Sequence, residues 1–250
     1  AYLKPSNPGR GDEFGSSVAV SGDTVVIGAS SKDIGLAADA GAAYVFQRHS
    51  GSWVEQAYLK PSIAPFGLGG HRFGFSVAID GDTLVVGAPW GTPWAADDVV
   101  GSAAYVFIRD DGIWSQQAYL SAANADEYPE MFGWSVAISG DTVVVGAPWE
   151  DSNGSSPSDN SASLAGATYV FTASDDGWNQ SAYLKASNAD AGDRFGGSVA
   201  ISGNAIVIGA STEDGDGSSE DDNSLTSSGA TYVFKSVIFS DGFESPQQLP

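Results

Sequence analysis

Four segments of this chain are copies of one module: EFGSSVAVSGDTVVIGA from Glu13, RFGFSVAIDGDTLVVGA from Arg72, MFGWSVAISGDTVVVGA from Met131 and RFGGSVAISGNAIVIGA from Arg194. In each, the Phe of Phe-Gly and the Gly of Gly-Ala stand fourteen positions apart, Phe14 to Gly28, Phe73 to Gly87, Phe132 to Gly146 and Phe195 to Gly209. A spacing that admits no insertion in any copy points to a rigid hairpin. Its first arm alternates, with Phe195, Gly197, Val199 and Ile201 on one face and Ser198 and Ala200 on the other, which is the period of a strand. Its second arm, Val25-Val26-Ile27 or Val143-Val144-Val145, is continuously apolar and suits a strand covered on both faces. Gly22-Asp23, Gly81-Asp82, Gly140-Asp141 and Gly203-Asn204 join the arms, and such pairs supply the positive φ of a two-residue turn.

Two further elements recur with the module. Ala-Tyr-Leu opens AYLKPSN at Ala1, AYLKPSI at Ala57, AYLSAAN at Ala118 and AYLKASN at Ala182, while Tyr-Val-Phe closes Gly41–Phe46, Ser102–Phe107, Gly166–Phe171 and Gly229–Phe234. One unit is thus four antiparallel strands: a (Phe-Gly), b (Gly-Ala), c (Tyr-Val-Phe) and d (Ala-Tyr-Leu). The c-to-d spacing is constant at eleven and contains Trp53, Trp114 and Trp178, read as structural. The b-to-c spacing runs from sixteen to twenty-three and the d-to-a spacing from thirteen to sixteen. In an up-and-down sheet all that variation falls at one end, where binding usually lives.

Tandem four-stranded units with buried inner strands read as blades of an all-β propeller. The expectation is one propeller domain over 1–235, with repeats at about 13–60, 72–121, 131–186 and 194–235 and a C-terminal segment at 236–250. The last repeat lacks strand d and the chain opens on an orphan copy, so residues 1–7 are expected to complete the fourth blade and close the ring. The alternative is closure between molecules, in which Ala1–Ser6 pairs with a neighbour and yields an oligomer or fibre.

Composition narrows the setting. Thirty-one acidic against ten basic residues leave a net charge of −21, which disfavours nucleic acid and anionic membranes and favours cations. There is no cysteine, hence no thiol nucleophile or thiolate site. No stretch is apolar and long enough to span a bilayer and no leader precedes Ala1, so an exported chain would be numbered in its mature form. Few lysines and Ser-, Gly- and Asp-rich loops suggest a secreted or cell-surface protein, and Asn153 and Asn179 fit the glycosylation pattern.

Phe73-Gly74 with Gly87-Ala88-Pro89, and Phe132-Gly133 with Gly146-Ala147-Pro148, resemble the FG-GAP repeat of integrin-α-like propellers, in the form seen in exported bacterial proteins. Ser30 and Ser211 replace Pro in the outer copies. The resemblance covers nearly the whole chain and implies a propeller. Integrin-type propellers usually have seven blades, so four repeats imply a small ring, a fragment or an assembly. Their Asp-x-Asp-x-Asp-Gly calcium loop before the Gly-Ala-Pro strand is absent, so that site does not carry over. Ile238–Glu244 is similar to a short C-terminal signature of some exported bacterial proteins.

Candidate sites follow from the variable end. Asp151, Asn153 and Asp159 in the third b–c loop, and Asp214, Asp216 and Glu220 in the fourth, offer alternating oxygens for Ca²⁺, which takes six to eight; otherwise these loops are simply solvated. Trp90, Trp94 and Trp149 follow Gly-Ala-Pro and suit stacking on a sugar, or packing against a neighbouring loop. Arg10-Gly11-Asp12 spells an adhesion tripeptide but is also the repeat's own Gly-Asp-x-Phe-Gly, seen again at Gly192–Gly196. His49 and His71 have no Ser or Asp partner in sequence, and Gly74-Phe75-Ser76 lacks the strand-to-helix turn of a nucleophile elbow. The expectation is a non-catalytic binding or adhesion module for a glycan or extracellular protein, with a self-assembling structural subunit as the alternative.

Overall fold

The computed structural model describes residues 1–61, 70–90, 101–124, 130–157, 159–219 and 222–235. Among them there is no helix, and fifteen strands form four antiparallel sheets. Sheet 1 holds β1 (Phe14–Ser21), β2 (Thr24–Ala29), β3 (Ala42–His49) and β4 (Ser52–Leu59) in chain order. Sheet 2 repeats it with β5 (Ser76–Asp80), β6 (Thr83–Ala88), β7 (Ala103–Asp110) and β8 (Ile113–Leu120), and sheet 3 with β9 (Ser135–Ser139), β10 (Thr142–Ala147), β11 (Ala167–Ser174) and β12 (Gly177–Leu184). Sheet 4 has three strands, β13 (Phe195–Ser202), β14 (Ala205–Ala210) and β15 (Ala230–Lys235). These are the four blades expected of an all-β propeller. The chain divides into two compact units, Ala1–Ser121 with sheets 1 and 2 and Ala122–Pro250 with sheets 3 and 4.

The a–b turn is the two-residue hairpin the module calls for. Ser21 faces Thr24 across it, and Gly22, Gly81, Gly140 and Gly203 carry φ of 55, 56, 54 and 56° while the Asp or Asn that follows is not in the positive region. Positive φ at the first central position alone is the II′ pattern, in which glycine leads. The c–d connection is tighter than its eleven residues suggest. Ser50-Gly51 and Asp111-Gly112 turn the chain with positive φ at both residues, so Trp53, Trp114 and Trp178 lie inside strand d. Trp114 donates its Nε1–H to Gln56 Oε1 at 2.9 Å, a structural contact.

Strands b and c carry the core of each unit, because the side chains of its two sheets interleave there. In the first unit Val26, Val45 and Leu59 of sheet 1 pack with Leu84, Val86, Tyr105 and Phe107 of sheet 2 around fully buried Phe73. In the second, Val144, Val170 and Leu184 of sheet 3 pack with Ile206 and Ile208 of sheet 4 around Phe195. Each such Phe contributes about 2–3 kcal/mol of burial.

The same backbone joint recurs between the sheets of each unit. Ser17 Oγ donates to Gly74 O at 2.7 Å, and Arg72 N and Phe73 N donate to Asp39 O and Ala40 O at 3.1 and 3.0 Å. In the second unit Ser135 Oγ donates to Gly196 O at 2.8 Å, and Arg194 N and Phe195 N donate to Leu164 O and Ala165 O at 3.0 and 2.9 Å. A Cβ on Gly28 would stand 2.0 Å from Gly74 O, and one on Gly146 2.0 Å from Gly196 O. The glycines of Phe-Gly and Gly-Ala are where two backbones touch.

The orphan copy of strand d differs from the other three. Residues 1–7 form no strand; Ser6 instead donates its N–H and Oγ to Glu55 Oε2 and Oε1, each at 2.7 Å.

Candidate functional site

The b–c and d–a connections gather at one end of each sheet, as up-and-down topology requires. That end is built on a buried polar layer. Tyr44, Tyr169 and Tyr232, all from strand c, donate their hydroxyls to Asn7, Asn124 and Asn188 Oδ1 at 2.7, 2.9 and 2.6 Å. Each Asn closes an Ala-Tyr-Leu copy. The remaining copy ends in Ile63, outside the described residues, and among the described residues the buried Tyr105 hydroxyl has no partner.

Charges sit in the same layer. Asp12 accepts from Gly9 N at 2.6 Å and from Lys32 Nζ at 2.8 Å, in a pair almost fully buried. The Asp of the Arg10-Gly11-Asp12 tripeptide is therefore engaged inside the protein rather than offered to a receptor. Glu150 accepts from Lys185 Nζ at 2.9 Å and Tyr183 OH at 2.7 Å. Burial pushes the Lys185 ammonium below its ordinary value while Glu150 pulls it back up, and the pair holds because each charge has a partner. In the fourth repeat the counterpart carboxylate, Glu213, is also buried, but what it accepts is Asn188 Nδ2 at 2.9 Å. Asp193 lies in the same carboxylate group, and burial, followed by the charges of Asp190, Glu213 and Asp214, pushes it up to about 6.

The two acidic loops share one construction. Asp151 Oδ1 accepts from Leu164 N and Asp214 Oδ1 from Ser227 N, at 2.8 and 2.5 Å. Asn153 Oδ1 and Asp216 Oδ1 each accept the N–H two residues on, at 2.8 Å. Asp159 Oδ2 accepts from Asn153 N and Ser161 Oγ, and Asp222 Oδ2 from Asp216 N and Ser224 Oγ. The Ser161 and Asn153 donors hold Asp159 below the ordinary carboxylate value. These oxygens staple the loops to themselves, as Asx turns do. Among the described residues no three His, Asp or Glu side chains converge as metal ligands would; Glu220 lies outside them.

The tryptophans part company. Trp90 is half-buried against Phe75, ring centroids 4.7 Å apart, with the Arg72 guanidinium 5.0 Å from its ring. It packs within its own repeat. Trp94 lies outside the described residues. Trp149 remains 38 % exposed on the rim of a 640 Å³ cavity that Trp134, Arg194, Ser198, Ser211, Ser228 and Thr231 also line. A second cavity of 700 Å³ runs along β15, from Gly229 to Phe234, with Glu213 and Asn188 in its wall. Of the histidines, His49 is exposed and His71 is sealed, burial lowering its pKa.

Sequence reasoning missed the polar layer. Its signal was there: the position two before each module Phe is Asp12, His71, Glu130 and Asp193, and three of the four Ala-Tyr-Leu copies close on Asn. Those coincidences mark a layer in register, whereas an acidic loop sequence does not reveal whether its oxygens face a cation or their own backbone.

No curated protein sequence matches. The solved structures found similar include the computationally designed Ika4 protein, 14 % identical over 92 % of this chain and 95 % of that one, TM-score 0.49. Another is Saccharomyces cerevisiae Sqt1, 12 % identical over 96 % of this chain and 48 % of that one, TM-score 0.49, so the chain spans about half of Sqt1. The FG-GAP repeat matches four times, at residues 1–46, 53–107, 114–171 and 178–234, each match running from strand d or its orphan copy to the Phe of strand c. With four matches in phase over most of its length, the chain belongs to the FG-GAP repeat family.

Proposed function

We propose that this chain is a non-catalytic, extracellular binding module that holds a glycan at the loop end of its second unit. The observation that carries the reading is Trp149, an exposed indole on a cavity whose wall supplies the hydroxyls of Ser198, Ser211, Ser228 and Thr231 and the guanidinium of Arg194. A sugar offers an apolar ring face and a rim of hydroxyls, and an aromatic plane beside polar groups matches both. The −21 charge disfavours nucleic acid and anionic membranes as ligands, and a sealed His71 leaves that imidazole no access to a substrate.

Trp149→Ala is expected to lower retention on a glycan array at least about tenfold, the loss of about 1.4 kcal/mol, with circular dichroism and melting unchanged. Equal retention by the variant overturns the glycan reading. A second reading, a subunit that associates with its own kind, is favoured by one observation: the outer edge of β15 carries no strand among the described residues, unlike that of β3, β7 and β11.

A further inference from the structure

Resting on the extracellular placement proposed above, we propose that Asn153 is the N-linked glycosylation acceptor of the folded chain, and that Asn179, the other residue in an Asn-x-Ser sequence, is not.

Both sequences satisfy the acceptor pattern, so the fold decides between them. An acceptor must offer an amide nitrogen that an enzyme can reach. Asn153, Gly154 and Ser155 are all exposed, at the surface of the third b–c loop. Asn153 Oδ1 is turned back on the loop and accepts from Ser155 N at 2.8 Å, while Asn153 N donates to Asp159 Oδ2 at 3.3 Å. Ser155 has its hydroxyl on Asp159 of the same loop. Among the described residues Asn153 Nδ2 meets no acceptor, so the atom that would be modified is the one the loop does not use.

The fourth repeat shows that the turn has no need of that nitrogen. Asp216-Gly217-Ser218 builds the same turn, with Asp216 Oδ1 accepting from Ser218 N at 2.8 Å and Gly217 at φ of 81° where Gly154 has 88°. A carboxylate there does what the carboxamide does in the third repeat.

Asn179 is placed differently. It lies inside β12, opposite Thr172 in the ladder with β11. Its Nδ2 donates to Ser174 Oγ at 3.0 Å and to Gly177 O at 3.5 Å, and the hydroxyl of Ser181 donates to Val170 O at 3.2 Å. Offering that nitrogen requires the c–d hairpin to open, which takes free energy that the Asn153 loop does not need.

The co-reactant is an oligosaccharide joined through its anomeric carbon to a lipid pyrophosphate. Asn153 Nδ2 forms a bond to that carbon as the bond from the carbon to the pyrophosphate oxygen breaks. The lipid pyrophosphate leaves with the electron pair, and one Nδ2 proton passes to the transferase.

The test is to incubate the purified, folded chain with a lipid-pyrophosphate-linked oligosaccharide and an oligosaccharyltransferase that reads Asn-x-Ser/Thr alone. Intact mass is expected to rise above 25.6 kDa by one saccharide, and peptide sequencing to place it on Asn153 in preference to Asn179 by at least about tenfold. Chain unfolded in urea and diluted directly into the reaction is expected to lose that preference. Asn153→Asp, which keeps the turn as Asp216 does, is expected to take no saccharide and to melt as the wild type. Asp216→Asn, which completes Asn-Gly-Ser in the fourth loop, is expected to take a second. A folded wild type that stays at the chain mass, or one modified equally at Asn179, overturns the proposal. The reaction needs neither the cell nor Trp149, so a chain that accepts the saccharide while Trp149→Ala keeps its array retention fails the glycan-binding reading and not this one.

Discussion

Tyr105 and Tyr169 occupy the same place in two repeats and differ in what their hydroxyls find. Tyr169 donates to Asn124 at 2.9 Å, while Tyr105 has no partner among the described residues. A buried polar group without a partner costs stability that a paired one does not. Tyr169→Phe is therefore expected to destabilise by about 1 kcal/mol and Tyr105→Phe to be neutral or stabilising, as read from urea midpoints. Asp193 makes a second test. Its carboxyl, pushed up to about 6, binds a proton in the folded state between its ordinary value and 6 that the unfolded chain has released. Stability contributed by that proton is present at low pH and is lost as pH rises through about 6. Asp193→Asn keeps an acceptor for Asp190 N, so it is expected to flatten that fall and to gain about 1 kcal/mol at pH 7.5, water at the loop end screening the rest. A steeper fall in the variant's melting profile would contradict this.

At the level of the element, the module hairpin is a joint as much as a pair of strands. Gly196 carries φ of 88°, and a Cβ there would lie 2.3 Å from Ala167 O. Gly15 carries φ of 100° with nothing in reach. Both alanine variants take the left-handed penalty of about 1–2 kcal/mol, but only Gly196→Ala also forces two backbones apart. Thermal melting is expected to show Gly196→Ala the more destabilised by at least about 2 kcal/mol; equal losses would mean the joint is not close-packed. The loops obey a different logic. Asp151, Asn153 and Asp159, chosen from sequence as cation ligands, hold the backbone turns of their own loop, and their counterparts in the fourth repeat do the same.

For the molecule as a whole, repetition made the architecture legible. Periods of two in strand a, continuous apolar runs in strand b and constant spacings determined four sheets, their order and the end at which variation gathers, because those patterns are local consequences of strand geometry and hairpin closure. Sequence alone also located Trp149 at the loop end. Tertiary structure decided what each site residue does: Trp90 packs on Phe75, Asp12 is neutralised by Lys32, and Lys185 reaches Glu150 thirty-five positions away. Partnerships of that kind depend on which side chains meet across sheets, and a pattern of residue types along one chain does not contain that distance. The N-terminal copy shows the division most plainly: its sequence is that of a strand, yet residues 1–7 form none and Ser6 holds Glu55 instead.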